Sequence, residues 1–255
     1  MARSIVVKNT VIGEGMPCIC VPLTQTDAPG LEAEAEQAAA VCPDLVEWRA
    51  DCFENIFSPS HVEGVLKRLS GILDSIPLIF TVRTQKEGGS LQISEEDYIR
   101  LLKHAADTKI PSFVDIEVMQ MEFSRLLEVV DWLRKKGILV IGSSHHFERT
   151  PSEMEMEAAL KREDEAGADI LKLAVMPHDY RDTARLLRVT GRVSRENTQK
   201  PLITMSMGDL GSASRFCGEI FGSAVTFATA GRMSAPGQLP IDELRTLLQT
   251  FHEFV

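Results

Sequence analysis

Short apolar runs alternate with longer amphipathic segments along the whole chain. Eight runs rich in Val, Ile, Leu or Phe lie at 17–23, 45–51, 77–83, 113–118, 138–143, 170–175, 202–207 and 223–228. Their lack of polar alternation is typical of parallel strands that are covered on both faces. Helix-like segments follow them at 32–42, 61–73, 95–108, 121–136, 152–166, 180–196, 214–220 and 241–254.

Eight such units predict an α/β fold, the (β/α)8 TIM barrel, which typically takes about 250 residues. Segments 4–8 and 11–13 predict a short N-terminal hairpin that closes the barrel bottom. The alternative is an open doubly wound sheet, which the lack of a Gly-rich phosphate loop after the first strand disfavours. No linker or repeat divides the sequence, so we expect a single domain over residues 1–255.

The charge balance bears on the partners of the protein. Lys and Arg total 27 against 37 Asp and Glu, a formal net charge of −10 with no basic run. This disfavours nucleic acid and anionic membranes as partners. The sequence lacks a signal peptide and any apolar run near the ~20 residues that cross a bilayer, so we expect a cytoplasmic protein.

The cysteines and histidines predict neither disulfides nor a metal site. The five cysteines are scattered: Cys18, Cys20, Cys42, Cys52 and Cys217. An odd, scattered set is not a disulfide framework, and the first two lack a second pair at zinc spacing. His145 and His146 are adjacent on a predicted strand and would point to opposite faces.

Lys172 interrupts the sixth predicted strand, where it is flanked by Ile, Leu, Ala and Val. An ammonium in such a run is costly to desolvate unless it is paired or neutral. The lysine is therefore either ion-paired or an amine nucleophile that forms a Schiff base with a ketone or aldehyde. This residue alone leaves both possibilities open.

Polar residues gather at the carboxyl ends of the predicted strands, where barrels of this kind place their chemistry. They are Glu47, Arg49, Arg83, Glu87, Asp115, Glu117, His145 and Arg215, with Ser234 and Gln238 in the last loop. Nearby cations and a low dielectric lower the pKa of a lysine, so we expect a neutral Lys172 amine. An imidazole can move protons in both directions near neutral pH.

These groups also have structural interpretations. Glu47 and Arg49 could form a buried pair that only fixes packing, and Asp115 is favoured as a structural group of that kind. Arg83 and Glu87 could pair in a solvated loop. Arg215, after the seventh strand, could cap a helix.

A series of motifs runs nearly end to end. It comprises Glu47-Trp48-Arg49, Thr81-Val82-Arg83, Lys86-Glu87-Gly88-Gly89, Ser143-Ser144-His145-His146-Phe147, Lys172-Leu173-Ala174-Val175-Met176-Pro177, Ser206-Met207-Gly208, Ser214-Arg215, Phe221-Gly222-Ser223 and Ser234-Ala235-Pro236-Gly237-Gln238. In this order the series resembles the type I 3-dehydroquinate dehydratases, the Schiff-base-forming enzymes of the shikimate pathway. One departure is His146, where that family often has Asp or Asn.

The resemblance implies a barrel, usually a homodimer, that dehydrates 3-dehydroquinate to 3-dehydroshikimate with neither metal nor organic cofactor. By motif position, Lys172 would form the imine, His145 would transfer the proton, and Glu87 would orient that histidine. The other motif residues would bind substrate: Glu47, Arg49 and Arg83 its hydroxyls, Arg215 its carboxylate, and Ser234 and Gln238 from a closing loop.

Two other functions remain open from the sequence. Schiff-base aldolases and transaldolases share a lysine on the sixth strand, although the Ser-x-His-x-Phe and Ser-Ala-Pro-Gly-Gln segments favour dehydration. The second is a barrel that has lost activity and serves as a binding module. Such a barrel would be expected to lack Lys172, His145 or Arg215, all of which are present.

Overall fold

The structure is a computed structural model that describes residues 4–231 and 235–254. It begins with an antiparallel hairpin of β1 (Ile5–Val7) and β2 (Thr10–Ile12). Parallel strands follow: β3 (Cys18–Leu23), β4 (Leu45–Arg49), β5 (Leu78–Thr81), β6 (Phe113–Glu117), β7 (Leu139–His146), β8 (Ile170–Val175), β9 (Leu202–Ser206), β10 (Val225–Thr229) and the short β11 (Leu239–Pro240). The helices are α1 (Ala28–Ala40), α2 (Pro59–Leu73), α3 (Glu95–Asp107), α4 (Phe123–Lys135), α5 (Glu153–Glu165), α6 (Tyr180–Arg192), α7 (Gly208–Gly211), α8 (Ala213–Phe221) and α9 (Ile241–His252).

The sheet curls until its two ends meet. Its order is β11-β10-β3-β4-β5-β6-β7-β8-β9. The ends join through a parallel bridge between Leu202 and Ser223, and the Ala224 N–H donates to the Leu202 carbonyl at 2.7 Å. The fold is therefore of the α/β TIM-barrel type, and the predictions of a barrel and of an N-terminal hairpin are confirmed.

The barrel interior changes from apolar to polar along the strands. A lower layer of buried side chains consists of Leu45, Ile79, Phe113, Ile141 and Ile170, against which Ile12 of the hairpin packs. Two residues further along each strand, the buried side chains are Glu47, Thr81, Asp115, Ser143 and Lys172. Since residues i and i+2 of a strand share a face, both sets point inward. The polar groups therefore collect at the carboxyl ends of the strands.

Several predicted boundaries differ from the structure by a few residues, and two of them bear on the site or have a clear local cause. Helix α1 begins at Ala28 rather than at 32, because Asp27 caps it by accepting the Gly30 N–H at 2.7 Å. Strand β7 runs to His146 rather than to 143, because it continues to pair with β8 as far as Val175. His145 is therefore a strand residue whose direction is fixed by the pleat.

The helices cover the outside of the barrel and bury the larger apolar cluster against the sheet. None of the helices in the two described ranges combines the length and apolar character needed to cross a membrane.

Candidate active site

Lys172 projects from β8 into the upper barrel and is 4% exposed. Its Nζ lies 3.1 Å from Oδ2 of Asp115 and 3.2 Å from Oε1 of Glu47, over the ring of Phe227. Burial lowers the pKa of Lys172, but Asp115 and Glu47 raise it, and the net direction is upward from 10.5. The resting side chain is an ammonium ion. The expectation of a neutral amine is wrong, because the two carboxylates together outweigh burial and Arg83.

Asp115 connects Lys172 to Arg83. Its Oδ1 accepts from Nη2 of Arg83 at 2.8 Å and from the Ser143 hydroxyl at 2.6 Å. Burial raises the pKa of Asp115, but Arg83 and Lys172 bring it below its ordinary value. Nη1 of Arg83 also lies 3.1 Å from Oε1 of Glu117. Lys172, Asp115, Arg83 and Glu117 thus form a buried chain of alternating charges, which we call the charge chain. Asp115 contacts the proposed nucleophile directly, which the sequence did not predict.

The buried pair considered for Glu47 and Arg49 does not form. Nε and Nη2 of Arg49 each donate to Asp51 at 2.9 Å, while Glu47 accepts from the Thr81 hydroxyl at 2.9 Å and from Lys172. Asp51 also accepts the backbone N–H of Arg83 at 3.0 Å, which ties the end of β4 to the loop after β5. The orientation of Arg49 is therefore set by Asp51.

His145 pairs with Glu87 at the top of the barrel. Its Nδ1 lies 2.9 Å from Oε2 of Glu87, whose Oε1 accepts from the amide of Gln120 at 3.1 Å. Burial and then Arg83 lower the pKa of His145 well below 6.5. Burial and then Glu117 raise the pKa of Glu87 to about 8. At neutral pH the imidazole is neutral and the proton of the pair resides on Glu87. Glu87 also lies 3.5 Å from Arg83, in a buried pair rather than a solvated one.

Two glycines position Glu87. Gly88 has a φ of +79°, and a Cβ there would lie 2.3 Å from the ring of Phe147. A Cβ on Gly89 would lie 2.0 Å from the carbonyl oxygen of Arg83. Gly88 therefore lets the loop after β5 pack against Phe147, just beyond β7, and Gly89 lets the same loop fold back on Arg83. This path brings Glu87 to His145.

His146 lies on the opposite face of β7 from His145, as strand alternation requires. It is half-buried, and burial and then Arg149 lower its pKa from 6.5. Its electrostatic neighbours are Arg149 and Glu155 rather than the interior groups. Of the two histidines, His145 is therefore the one beside the barrel interior.

Arg215 on α8 is buried without a carboxylate partner among the described residues. It is 2% exposed, its Nη2 donates to the Pro236 carbonyl at 3.0 Å, and its Nη1 lies 3.5 Å from the Phe227 carbonyl. Its Nε, also buried, has no hydrogen-bond partner within 4–231 and 235–254. Burial lowers the pKa of Arg215 to about 10. These carbonyls belong to other elements, so the helix-cap interpretation is wrong.

The preceding residue explains how Arg215 is held. The Ser214 hydroxyl accepts the Ser206 N–H at 2.9 Å and donates to the Gly211 carbonyl at 2.7 Å. Ser214 thus provides a hydrogen-bond partner for the backbone at the end of β9, near the point where β9 and β10 separate. Helix α8 is docked there, and Arg215 enters the barrel from it.

A cavity of about 90 Å³ opens among these groups. Seven of the nine predicted site residues line it: Glu47, Arg49, Arg83, His145, Lys172, Arg215 and Gln238. Glu87 lies behind His145, and Ser234 falls outside the described residues. The rest of the lining includes Phe147, Met205, Met207 and Phe227. The cavity thus combines charged groups with apolar walls, which suits a small polar ring compound.

Besides Asp115, the residues Asp51, Ser143 and Gln120 contact this site and were not assigned to it from the sequence. Asp51 was visible at a strand end, and Ser143 in a motif, but neither received a role. Gln120 gave no signal, because its contact with Glu87 depends on how two separate loops meet. In the part of the chain that the structure describes, no group of three or more His, Cys, Asp or Glu side chains could hold a metal ion.

Comparison with known proteins identifies the family. Residues 19–255 match the sequence model described as Type I 3-dehydroquinase. The chain is 41% identical over 255 residues to the 3-dehydroquinate dehydratase of Clostridioides difficile, with 100% of both chains covered. It is 41% identical over 251 residues to that of Listeria monocytogenes serotype 4b, covering 98% of this chain and 99% of the relative.

Solved structures agree with this. A crystal structure of type I 3-dehydroquinate dehydratase from Clostridium difficile, with covalently modified comenic acid, superimposes with a TM-score of 0.96 at 41% identity, covering 100% of both chains. A structure of 3-dehydroquinate dehydratase from Geobacillus kaustophilus gives a TM-score of 0.96 at 37% identity, covering 100% of this chain and 99% of the other. The chain belongs to the type I 3-dehydroquinase family.

Proposed function

We propose that this protein dehydrates 3-dehydroquinate to 3-dehydroshikimate through a Schiff base on Lys172. This is a carbon–oxygen lyase reaction of the shikimate pathway. The observation that carries the proposal is the joint placement of a buried lysine, the His145–Glu87 pair and a buried arginine without a carboxylate around one cavity. Membership of the family supplies the substrate.

Lys172 begins as an ammonium ion and must lose a proton before it attacks the ketone. Glu47 and Asp115 lie 3.2 and 3.1 Å from its Nζ and are positioned to accept it. The free amine adds to the carbonyl carbon, the carboxyl group returns the proton to the departing hydroxyl, and loss of water gives a protonated imine. That cation takes the place of the ammonium ion, so the same two carboxylates stabilise it. The imine then acts as the electron sink for the next step.

His145 is the proposed base in that step. Its neutral imidazole removes the proton from the carbon next to the imine, and the resulting enamine expels the β-hydroxyl. The imidazolium returns the proton to the departing oxygen. For Nε2 to act as the base, Nδ1 must carry the hydrogen and donate it to Glu87. Glu87 would accept this hydrogen bond on Oε2 and so fix the tautomer. Hydrolysis of the imine releases product and lysine.

Arg215 is the proposed site for the substrate carboxylate. Its free Nε and its lack of an ion-pair partner among the described residues leave a buried positive charge that an anion would compensate. Glu47, Arg49 and Arg83 would bind the hydroxyls. Arg83 already donates hydrogen bonds to Glu117, Ser143 and Asp115, so we expect it to make the fewest direct hydrogen bonds to substrate.

The loop that carries Ser234 and Gln238 would close over the substrate and exclude water from the imine. Gln238 is 6% exposed, and its Oε1 lies 3.4 Å from the backbone nitrogen of Ala235. We also propose a homodimer, on the strength of the resemblance described above, and a cytoplasmic location, on the strength of the sequence features described above. Each subunit would be a single domain, as the lack of a linker or repeat indicates. Light scattering and cell fractionation test the oligomeric state and the location.

Trapping of the imine tests the function. The protein is mixed with 3-dehydroquinate and borohydride, its intact mass is measured, and the modified peptide is mapped. We expect a reduced adduct on the Lys172 peptide and, without borohydride, the absorbance of the enone product. Lys172→Ala should give neither, while Lys161→Ala, at an exposed lysine on α5, should behave as wild type. An unmodified wild-type protein that forms no enone would refute the proposal, and aldolase substrates would be tested next.

A further inference from the structure

One buried glutamate outside the cavity contacts both strands that carry the proposed nucleophile and base. Glu163 on α5 is 0% exposed, and its Oε2 accepts the backbone N–H of Lys172 at 2.8 Å. Its Oε1 lies 3.0 Å from the hydroxyl of Ser144, the residue before His145. A single carboxyl group thus joins β8 at Lys172 to β7 beside His145.

The barrel wall is shaped to receive this carboxyl group. A Cβ on Gly142 would lie 3.1 Å from Cβ and 3.2 Å from Cγ of Glu163, and 3.0 Å from Cβ of Ala168. Such contacts are tight, so a side chain at this position would push Glu163 away from the sheet. Ser144 lies two residues further along β7 and faces the same outer side. Gly142 and Ser144 together form a slot for Glu163 on the outer face.

Glu163 lies among apolar groups rather than beside a cation. It continues the buried stripe of Met156, Ala159 and Leu160 on α5. Burial raises its pKa well above 4.5, and its hydrogen bonds to Ser144 and Lys172 lower that pKa less. An ionised carboxylate with no counter-ion is unfavourable at such a site. Burial thus favours the neutral form of this carboxyl group, whose two oxygens accept from the Lys172 N–H and the Ser144 hydroxyl.

We propose that Glu163 is a positioning residue, which holds the backbone of Lys172 and the side chain of Ser144 and so sets the amine of Lys172 relative to the imidazole of His145. This inference rests on the proposed function. Glu163 does not line the cavity, so its loss should leave substrate binding intact. Small errors in the placement of reacting groups lower the rate of the chemical step. The expected signature is a fall in kcat at constant KM.

Two variants at this position separate hydrogen bonding from packing. Glu163→Gln keeps an acceptor for the Lys172 N–H and a polar group that can hydrogen-bond the Ser144 hydroxyl, and we expect its kcat to stay within about threefold of wild type. Glu163→Leu keeps the volume without the hydrogen bonds, and its kcat should fall at least about tenfold with KM unchanged. Glu165→Leu, at an exposed residue on the same helix, is the matched control and should match wild type. Rates are compared per folded protein.

A second measurement detects the hydrogen bond between Glu163 and the Lys172 N–H without requiring turnover. The amide proton of Lys172, observed by ¹⁵N NMR of the full chain, should shift upfield and exchange faster in Glu163→Leu but not in Glu163→Gln. If Glu163→Leu does not fold, Ser144→Ala replaces it, with a smaller loss of kcat at constant KM. A folded Leu variant with wild-type kcat, or an equal loss in both variants, would overturn the inference. A wild-type chain that is inactive on 3-dehydroquinate would instead refute the proposed function, while the amide signal would still report the contact.

Discussion

Nδ1 of His145 lies 2.9 Å from Oε2 of Glu87, and the two side chains are 9% and 3% exposed. Their pKa values move in opposite directions, because burial opposes charge on either partner. The pair therefore rests without net charge, with a neutral imidazole that can accept a proton from substrate. Because the two groups are in contact, a change in the protonation of either residue changes the pKa of the other.

Glu87→Gln should change how stability depends on pH. The pKa of Glu87 is raised from 4.5 to about 8 in the folded protein, so between those values the folded state retains a proton that the unfolded state has lost. Wild-type stability from this group is therefore complete below pH 4.5 and is lost as pH rises to about 8. The glutamine cannot ionise, so the variant should gain stability relative to wild type between pH 5 and pH 8.5. Urea unfolding at pH 5 and at pH 8.5 measures the free energy of unfolding of both proteins. A difference between variant and wild type that is the same at the two pH values would contradict the raised pKa.

His145→Ala and His146→Ala should separate the two histidines. Without the proposed base, His145→Ala should still form the imine with 3-dehydroquinate, but turnover should fall by about 10² to 10⁴. His146 lies on the other face of β7, so its replacement should leave kcat within about twofold. Borohydride trapping and enone absorbance measure the two steps separately. Rapid turnover by His145→Ala would eliminate it as the base.

Asp115→Asn should lower the pKa of Lys172. This carboxylate lies 3.1 Å from Nζ and raises that pKa, so its removal makes the free amine available at lower pH. The pH profile of imine trapping should shift toward acid. Breaking the buried pair should also cost about 3–5 kcal/mol of stability, measured by urea unfolding. Asp131→Asn, at an exposed helix position, is the control. An unshifted profile would mean that Asp115 does not govern the amine.

Arg215→Met should weaken substrate binding without destabilising the fold. The guanidinium is buried without a carboxylate partner among the described residues, so an apolar side chain of similar length relieves an unfavourable burial. Loss of its charge should raise KM for 3-dehydroquinate by about 30-fold or more. Steady-state kinetics and thermal unfolding together test the pair of effects. An unchanged KM would remove Arg215 from the carboxylate site.

Gly88→Ala should displace Glu87. The new Cβ would meet the ring of Phe147 at 2.3 Å, at a φ of +79° that alanine rarely adopts. We expect kcat to fall by about tenfold or more as the contact with His145 is lost. Gly71→Ala provides the contrast, because this exposed glycine of α2 has nothing within 4 Å of an added Cβ. That variant should keep full activity and gain about 0.5–1 kcal/mol of stability. Equal behaviour of the two would contradict the steric argument.

The barrel was predictable because its signal is local. Apolar runs and helical segments recur along the chain, and strand alternation alone placed His145 and His146 on opposite faces. The charge on Lys172 was not predictable, because it depends on whether two carboxylates or one arginine lies closer to Nζ. Strand pattern could place Glu47, Asp115 and Arg83 on the inner face, but it could not supply distances.

Glu163 shows where a sequence signal exists and is easily passed over. It occupies a position on α5 that continues an apolar stripe, three residues after Leu160, where an acidic side chain is out of place. That mismatch marks a buried polar contact but does not identify the partner. The partner, the backbone of Lys172, becomes visible only when α5 is docked on β8.

The charge chain also limits how this barrel can change over evolutionary time. Neutralising any one of Lys172, Asp115, Arg83 or Glu117 unbalances the charges of this buried set, and a second substitution is then needed to restore the balance. New substrate preferences are more accessible through the uncharged walls of the cavity, such as Met205 and Met207. A directed-evolution library confined to those walls should yield folded variants far more often than one that samples the charge chain.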